Sequence, residues 1–279
     1  MILPKVSIQI PTYNQAALLD RAIQSCLTQD YRNIEVIIAD DCSPDNTREV
    51  AAKYLSDPRV RYFRNETNTG RVKNYRKSLF EYATGDWLLN VDGDDYLTNK
   101  RFISSSIDKI LAAGDVLFLQ GAHRIIESGK AEKIVGHAFF KNDEVINAQE
   151  YFLNFFRNKH FSHLSTLFNR NCMLAADFYN KDVISADIYS TLKACIMFHQ
   201  MKVLLTNDVS GNWILADQNA SKNISLGDQL RNTMLYMDLF KEYTARFGYK
   251  GMFAWIAKAS MITTLVYIKR RLISLIPIR

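Results

Sequence analysis

A short apolar run, Trp87-Leu88-Leu89-Asn90-Val91, breaks off into Asp92-Gly93-Asp94-Asp95, three carboxylates within four positions. The run has the length and character of a buried strand. Carboxylates packed this closely repel one another unless a cation sits among them. At the end of a strand in an α/β sheet they face the crevice where such sheets bind ligands. Oxygen donors of this kind suit Mg²⁺ or Mn²⁺, ions that share their coordination shell with substrate phosphates. An exposed turn is the plainer alternative, because Asp and Gly favour turns for backbone reasons alone.

Two further strand ends carry polar residues in the same way. Val6-Ser7-Ile8-Gln9-Ile10 stops at Pro11-Thr12-Tyr13-Asn14, and residues 16–27 then place apolar side chains at helical spacing. Ile34-Glu35-Val36-Ile37-Ile38-Ala39 ends in Asp40-Asp41, after which Asp45-Asn46-Thr47 offers caps for a helix through Val50 and Tyr54. Strands this apolar, alternating with helices, predict a parallel sheet covered on both faces, its polar strand ends converging on one edge.

These segments resemble the family 2 inverting glycosyltransferases of the GT-A fold. The likeness runs through VSIQIPTYN, EVIIADDCSPDNT, NTG and ATGDWLLNVDGDDYL, in order and spacing over about residues 4–100, then more loosely to about residue 222. It implies a Rossmann-like, mixed but mostly parallel sheet flanked by helices. The expected organisation is a GT-A domain over residues 1–225, with a nucleotide-binding half (1–100) and an acceptor half (101–225). A helical extension over 226–279 follows.

The resemblance also implies roles. A nucleotide-sugar donor carries a diphosphate, and a divalent cation, Mn²⁺ or Mg²⁺, neutralises it as the glycosidic bond breaks. Asp92 is placed near the donor ribose and Asp94 or Asp95 on the metal, while Gly93 allows close backbone approach to the donor. Pro11, Thr12, Tyr13 and Asn14 shape the base site, Tyr13 stacking on a pyrimidine and Asp41 accepting the imide N–H of uracil. A UDP-sugar is therefore the expected donor; thymine has the same imide edge, so a dTDP-sugar is the alternative. Asp40 reads as a loop cap. In the Asn-x-Gly loop after Val60-Arg61-Tyr62-Phe63, Lys73 and Asn74 are placed near the base and diphosphate, and Arg71 and Arg76 read equally well as surface charges.

An inverting transferase needs one general base for the acceptor hydroxyl. The family carries it as an acid in a Glu-Asp pair, and the matching residue is Asp187. Ala186 replaces the usual Glu and Lys193 a usual Arg, which alters whatever acceptor contact the Glu makes. Residues 160–168 alternate like a strand with Ser162 or His163 on its polar face, and the resemblance puts His163 close to the site. The His that relatives often carry before Asn219 is Ala216 here, leaving Trp213 and Asp217 to act differently. Glu127-Ser128-Gly129-Lys130 predicts a hairpin turn.

At 279 residues and 48% hydrophobic, the chain holds one domain of ordinary size with an appendage. Its four scattered cysteines, with no CxxC pair, fit a reducing compartment. A core strand starting at Val6 leaves no room for a signal peptide, and residues 259–268 are too short an uncharged stretch to cross a bilayer. A cytoplasmic protein is expected. Residues 228–279 hold nine Lys or Arg against three acids, equal to the whole net charge of +6. Helices over 252–257 and 262–273, with Trp255 and Tyr267, would suit the anionic face of a membrane; a helical hairpin packed on the domain is the alternative. No nucleic-acid module accompanies the charge. A glycan or lipid-linked acceptor is expected by analogy. A nucleotidyltransferase lacks its glycine-rich basic loop here, and a non-catalytic nucleotide-sugar binder does not explain the retained acids.

Overall fold

A computed structural model describes residues 3–136, 143–157, 161–215, 225–261 and 264. In chain order the elements are β1 (Val6–Thr12), α1 (Ala16–Leu27), β2 (Ile34–Asp40), α2 (Thr47–Ala52), β3 (Val60–Arg64), α3 (Arg71–Lys77), β4 (Trp87–Asn90), β5 (Tyr96–Leu97), α4 (Phe102–Ala113) and β6 (Val116–Ile126). There follow β7 (Lys133–Val135), β8 (Glu144–Asn147), α5 (Ala148–Asn154), β9 (Thr166–Asn169), α6 (Arg170–Ala175), α7 (Ala186–Met197), β10 (Lys202–Ile214) and α8 (Leu226–Phe247).

The strands form one mixed sheet in the order β3-β2-β1-β4-β9-β6-β10-β5, with β7 on β6 and β8 on β10. Every residue of β1, β2 and β4 is buried, as their near-continuous apolar runs require of strands covered on both faces. These strands and β3 pair in parallel, with Val6 opposite both Ile34 and Trp87. Thr12, Asp40 and Asn90 therefore finish at one edge, and the acidic segments follow directly from them. Around β9 the sheet turns antiparallel on both sides. The hairpin predicted at 127–130 joins β6 to β7, with Gly129 at φ +73°. All four cysteines are free thiols, three of them buried.

Two expectations are corrected. The strand expected over 160–168 starts only at Thr166: His163–Ser165 forms a 3₁₀ turn, and residue 160 lies outside the described residues. The cause is local. The Ser162 hydroxyl accepts from Leu164 N, and the Ser162 carbonyl from the Thr166 hydroxyl, drawing the backbone out of the ladder. The second concerns the extension. Trp255 is only 3% exposed; it stacks on Phe152 at 4.7 Å and donates its indole N–H to the Phe152 carbonyl. Together with Leu239, Tyr243, Met252 and Ala259 it belongs to the core that α5 and α7 build. A helical segment over 252–261 is present as expected, whereas the helix expected over 262–273 lies outside the described residues except at Thr264.

Candidate active site

The edge of the sheet is assembled from three loops that bond to one another. Gly93 N donates to Pro11 O, and Asp41 N to Thr12 O. A Cβ at Gly93 would lie 2.6 Å from Gln15 Oε1 and 2.7 Å from Thr12 Oγ1, so its lack of a side chain lets the acidic segment close on the β1–α1 turn. This close approach is to the chain's own turn. Asn14 takes φ 56° and donates its N–H to Ser43 Oγ. Tyr13, 47% exposed, projects from this rim.

The two acids after β2 are buried and heavily bonded. Asp40 accepts from Ser43 N, the Tyr62 hydroxyl and Arg64, a loop-holding role as expected. Asp41 Oδ1 accepts from Asn65 Nδ2 and from both the N–H and hydroxyl of Thr69, and its Oδ2 from Gly70 N. One acceptor position on Oδ2 remains after these four bonds. Asn74 is buried and ties α3 to β2 by donating to Ala39 O, while Lys73 is exposed. The sequence thus brought Asp41 and Asn74 to the right edge, but both are engaged in holding the loop at 65–70.

Beyond β4, Asp92 meets two partners that come from outside its own loop. The Tyr75 hydroxyl donates to Asp92 Oδ1, and His163 Nε2 lies 3.4 Å from Asp92 Oδ2. On its other side His163 Nδ1 lies 3.4 Å from Asp187 Oδ2. Asp187 sits in the first turn of α7, where its Oδ1 also accepts from Ile188 N. Burial would lower the basicity of His163, but the Asp92 and Asp187 carboxylates outweigh it and push the imidazole up to about 10. Burial would raise both acids in turn; the facing imidazolium, with Arg71 adding its charge, holds each below the usual carboxylate range.

Asp94 and Asp95 behave in the opposite way. Burial, then the charge of Asp92, pushes Asp94 up to about 6. Burial, then the charges of Asp92 and Asp94, pushes Asp95 well above the usual range, although its Oδ1 accepts from Ile214 N at 2.8 Å. Burial and the neighbouring carboxylate charges disfavour the ionised form of both acids, a cost that a hard divalent cation would relieve, so the donor set fits Mn²⁺ or Mg²⁺. Ligand atoms of Asp92, Asp95 and His163 lie within 4.8 Å of one another. An imidazolium with a carboxylate on each nitrogen has no lone pair for a metal, so the carboxylates are the better donors.

Sequence reasoning missed Tyr75, Tyr179 and Arg71. Tyr75 stacks on Tyr179 at 5.2 Å, and Tyr179 accepts from Asn90 Nδ2, so the two rings wall Asp92. Arg71 reaches from the start of α3 to Ile184 O, beside Asp187, and so bridges the two halves. Their spacing was the available signal: Arg71 and Tyr75 stand four apart and share one face of a helix that opens at the site. Trp213 packs half-buried against His123, and Ala216 and Asp217 lie outside the described residues.

Acids at the ends of parallel strands, a second acid opposite on a helix start, and the mixed sheet beneath them define an α/β protein of the GT-A kind. The chain belongs to glycosyl transferase family 2, whose model matches residues 7–182. It is 26% identical over 181 residues to the GalNAc(5)-diNAcBac-PP-undecaprenol beta-1,3-glucosyltransferase of Campylobacter jejuni, covering 64% of this chain and 58% of that protein. It is 32% identical over 124 residues to the UDP-Glc:alpha-D-GlcNAc-diphosphoundecaprenol beta-1,3-glucosyltransferase WfgD of Escherichia coli, covering 44% and 47%. Its fold is like that of S. aureus TarS 1–349, crystallised with UDP-GlcNAc: TM-score 0.71, 20% identity, 86% of this chain and 66% of that one. The chain spans about half the length of the curated relatives it matches.

Proposed function

We propose that the chain is a metal-dependent inverting glycosyltransferase that moves a sugar from a UDP-sugar to a glycan or lipid-linked acceptor in cell-surface polysaccharide synthesis. The observation that carries this reading is the meeting of Asp92, from the nucleotide half, and Asp187, from the acceptor half, on the two nitrogens of His163. A donor held on the Asp92 side and an acceptor on the Asp187 side are thereby brought face to face.

In that arrangement Asp187, kept ionised by His163 and Arg71, takes the proton of the acceptor hydroxyl. The oxygen attacks the anomeric carbon, a glycosidic bond forms, and the bond to the β-phosphate breaks with its electron pair leaving on UDP. One base and one displacement invert the anomeric centre. Asp94 and Asp95 would hold the metal ion, which supplies Lewis-acid neutralisation of the diphosphate when bound. The exposed Tyr13 ring and the remaining acceptor position of Asp41 Oδ2 favour a uracil, the ring by stacking and the carboxylate by its imide. UDP in the TarS complex and the UDP-Glc donor named for WfgD agree with that choice.

Lipid-linked acceptors named for both curated relatives favour work at the cytosolic face of a membrane. Among the described residues no helix is long and apolar enough to cross one. A peripheral surface is available instead: Leu226, Leu230, Met234 and Met237 form an exposed apolar stripe along α8, and Lys241 continues it.

The test is a thermal-unfolding series with UDP, dTDP, CDP, GDP and ADP, in Mn²⁺ and in chelator, followed by sugar release from the matching UDP-sugars. Preferential protection by UDP with Mn²⁺ is expected. Equal protection by purine nucleotides would overturn the donor assignment, and nucleotide binding without turnover would favour a non-catalytic binder.

A further inference from the structure

Helix α8 overhangs the proposed base. It lies beside α7 and runs in the same direction: near their C-terminal ends Arg246 Nη1 donates to Ile196 O at 3.2 Å, and ahead of α7 Lys181 Nζ lies 3.8 Å from Asp238 Oδ2. With Arg246 level with Ile196, Tyr236 stands level with Ala186. The Tyr236 hydroxyl is accordingly pushed up to about 12, by burial first and then by the charge of Asp187. About ten residues of α8, or about 15 Å at the helical rise, therefore continue past the start of α7, the end of that helix where Asp187 stands.

This overhang buries two amides, Gln229 and Asn232, beside the apolar Leu235. Gln229, Asn232 and Tyr236 lie on one side of the helix, continuous with the apolar Leu239 and Tyr243 that anchor it. Gln229 is 8% exposed and Asn232 6%, yet Gln229 Nε2 and Asn232 Oδ1 have no hydrogen-bond partner among the described residues. A buried amide atom left unpaired costs about 1–3 kcal/mol, a cost that a packed apolar residue would avoid. Here one amide leaves a donor open and its neighbour leaves an acceptor open. A sugar hydroxyl is both donor and acceptor and matches that pair. A phosphate would call for cationic partners, and an acyl chain would use neither amide.

The geometry points to Gln229 and Asn232 as an acceptor subsite that binds hydroxyl groups of a neutral sugar on the Asp187 side of the crevice. This rests on the glycosyl-transfer reading of that site. The subsite belongs to α8, so recognition of the acceptor lies outside the part of the chain that the family model matches.

The experiment compares the wild-type chain with Gln229→Leu and Asn232→Leu in three measurements. In ligand-free thermal unfolding the variants should melt no lower than wild type, since each removes an unpaired buried polar atom; a drop of several degrees would make the amides structural and overturn the subsite. Titrated by ligand-observed NMR with the methyl β-glycosides of glucose, galactose and N-acetylglucosamine, the wild type should bind at least one, and each variant about tenfold more weakly. No binding of any glycoside to wild type, or equal binding by the variants, would overturn it. UDP with Mn²⁺ should protect all three proteins alike. Wild-type protection by UDP alongside a glycoside failure sinks the subsite alone, whereas wild-type indifference to UDP sinks the glycosyl-transfer reading.

Discussion

His163 Nδ1 lies 3.4 Å from Asp187 Oδ2, and the same ring places Nε2 3.4 Å from Asp92 Oδ2. One imidazolium is therefore the electrostatic tie between the end of β4 and the start of α7, which are far apart in the chain. Without it two partly buried carboxylates would face each other with Arg71 as the remaining nearby cation. Removing one partner from a buried charge set typically costs about 3–5 kcal/mol. His163→Ala should lower the urea midpoint of unfolding at neutral pH by a correspondingly large step, and His163→Gln by nearly as much, because the amide restores bonding but not charge. A midpoint unchanged in both variants would show that the ring carries no tie.

Asp187 separates binding from chemistry. The proposed mechanism uses its carboxylate on the acceptor alone, so Asp187→Asn should leave UDP affinity near wild type while transfer falls by roughly 10²–10⁴-fold, the usual contribution of a general base. Isothermal titration with UDP and initial rates with the UDP-sugar measure the two quantities. Parallel loss of both would make Asp187 a structural acid at the helix start, stabilised by the dipole.

The metal is probed better through Asp94 than through Asp95, because Asp95 also secures Ile214 N and its replacement would disturb β10. Asp94→Asn should abolish the dependence of UDP binding on Mn²⁺ while leaving the fold intact by circular dichroism. Chelation of wild type should mimic it. Wild-type UDP affinity that is the same in Mn²⁺ and in chelator would remove the metal from the reading.

The donor edge was legible because strands buried on both faces are written as apolar runs, so the points where β1, β2 and β4 stop are sharp in the sequence. Asp41 and Asp92 could be placed from such boundaries, whereas Asp187, in the first turn of α7, was singled out by the family resemblance. What the residues on those edges bond to was less legible: Asn74 is turned inward to Ala39 O, and Arg71, indistinguishable by type from a surface charge, spans to Ile184 O. Side-chain direction on a two-turn helix depends on its docking angle, which periodicity alone does not encode. Trp255 was misread for a related reason. Aromatic and basic residues mixed on one helix have the composition of a membrane face, and only packing on Phe152 shows that the indole points the other way.

Acid stability should hinge on Glu35, at the opposite end of the sheet from the site. Its side chain is 5% exposed and takes bonds from Ser7, Thr84 and Lys5, with Arg61 at 3.3 Å. Burial would raise it, but these bonds outweigh burial and bring it down to about 2. A depressed folded-state value contributes stability above the unfolded value of 4.5 and loses it as pH falls from there towards 2. The contribution is about 3 kcal/mol at neutral pH. Glu35→Gln should lower stability at pH 7 and flatten the fall between those limits in a pH series of denaturant midpoints; an acid limb as steep as in wild type would show that other groups carry it.

The two sides of the C-terminal helices should answer to different assays. Trp255 fills the core beside Phe152 and Tyr243, and a buried Trp truncated to Ala costs about 3–5 kcal/mol. Trp255→Ala should therefore lower the melting temperature strongly, and ending the chain before Met252 should do so further, since Met252, Trp255 and Ala259 leave together. Leu230 and Met234, 58% and 66% exposed, contribute little to that core. Replacing both by Ser should leave the melting temperature within a degree or two of wild type, yet reduce co-sedimentation with vesicles containing anionic lipid at low salt, where the neighbouring basic residues add their attraction. Wild-type protein that never sediments with such vesicles, or a serine pair that sediments as wild type does, would mean that the stripe on α8 faces something other than a membrane.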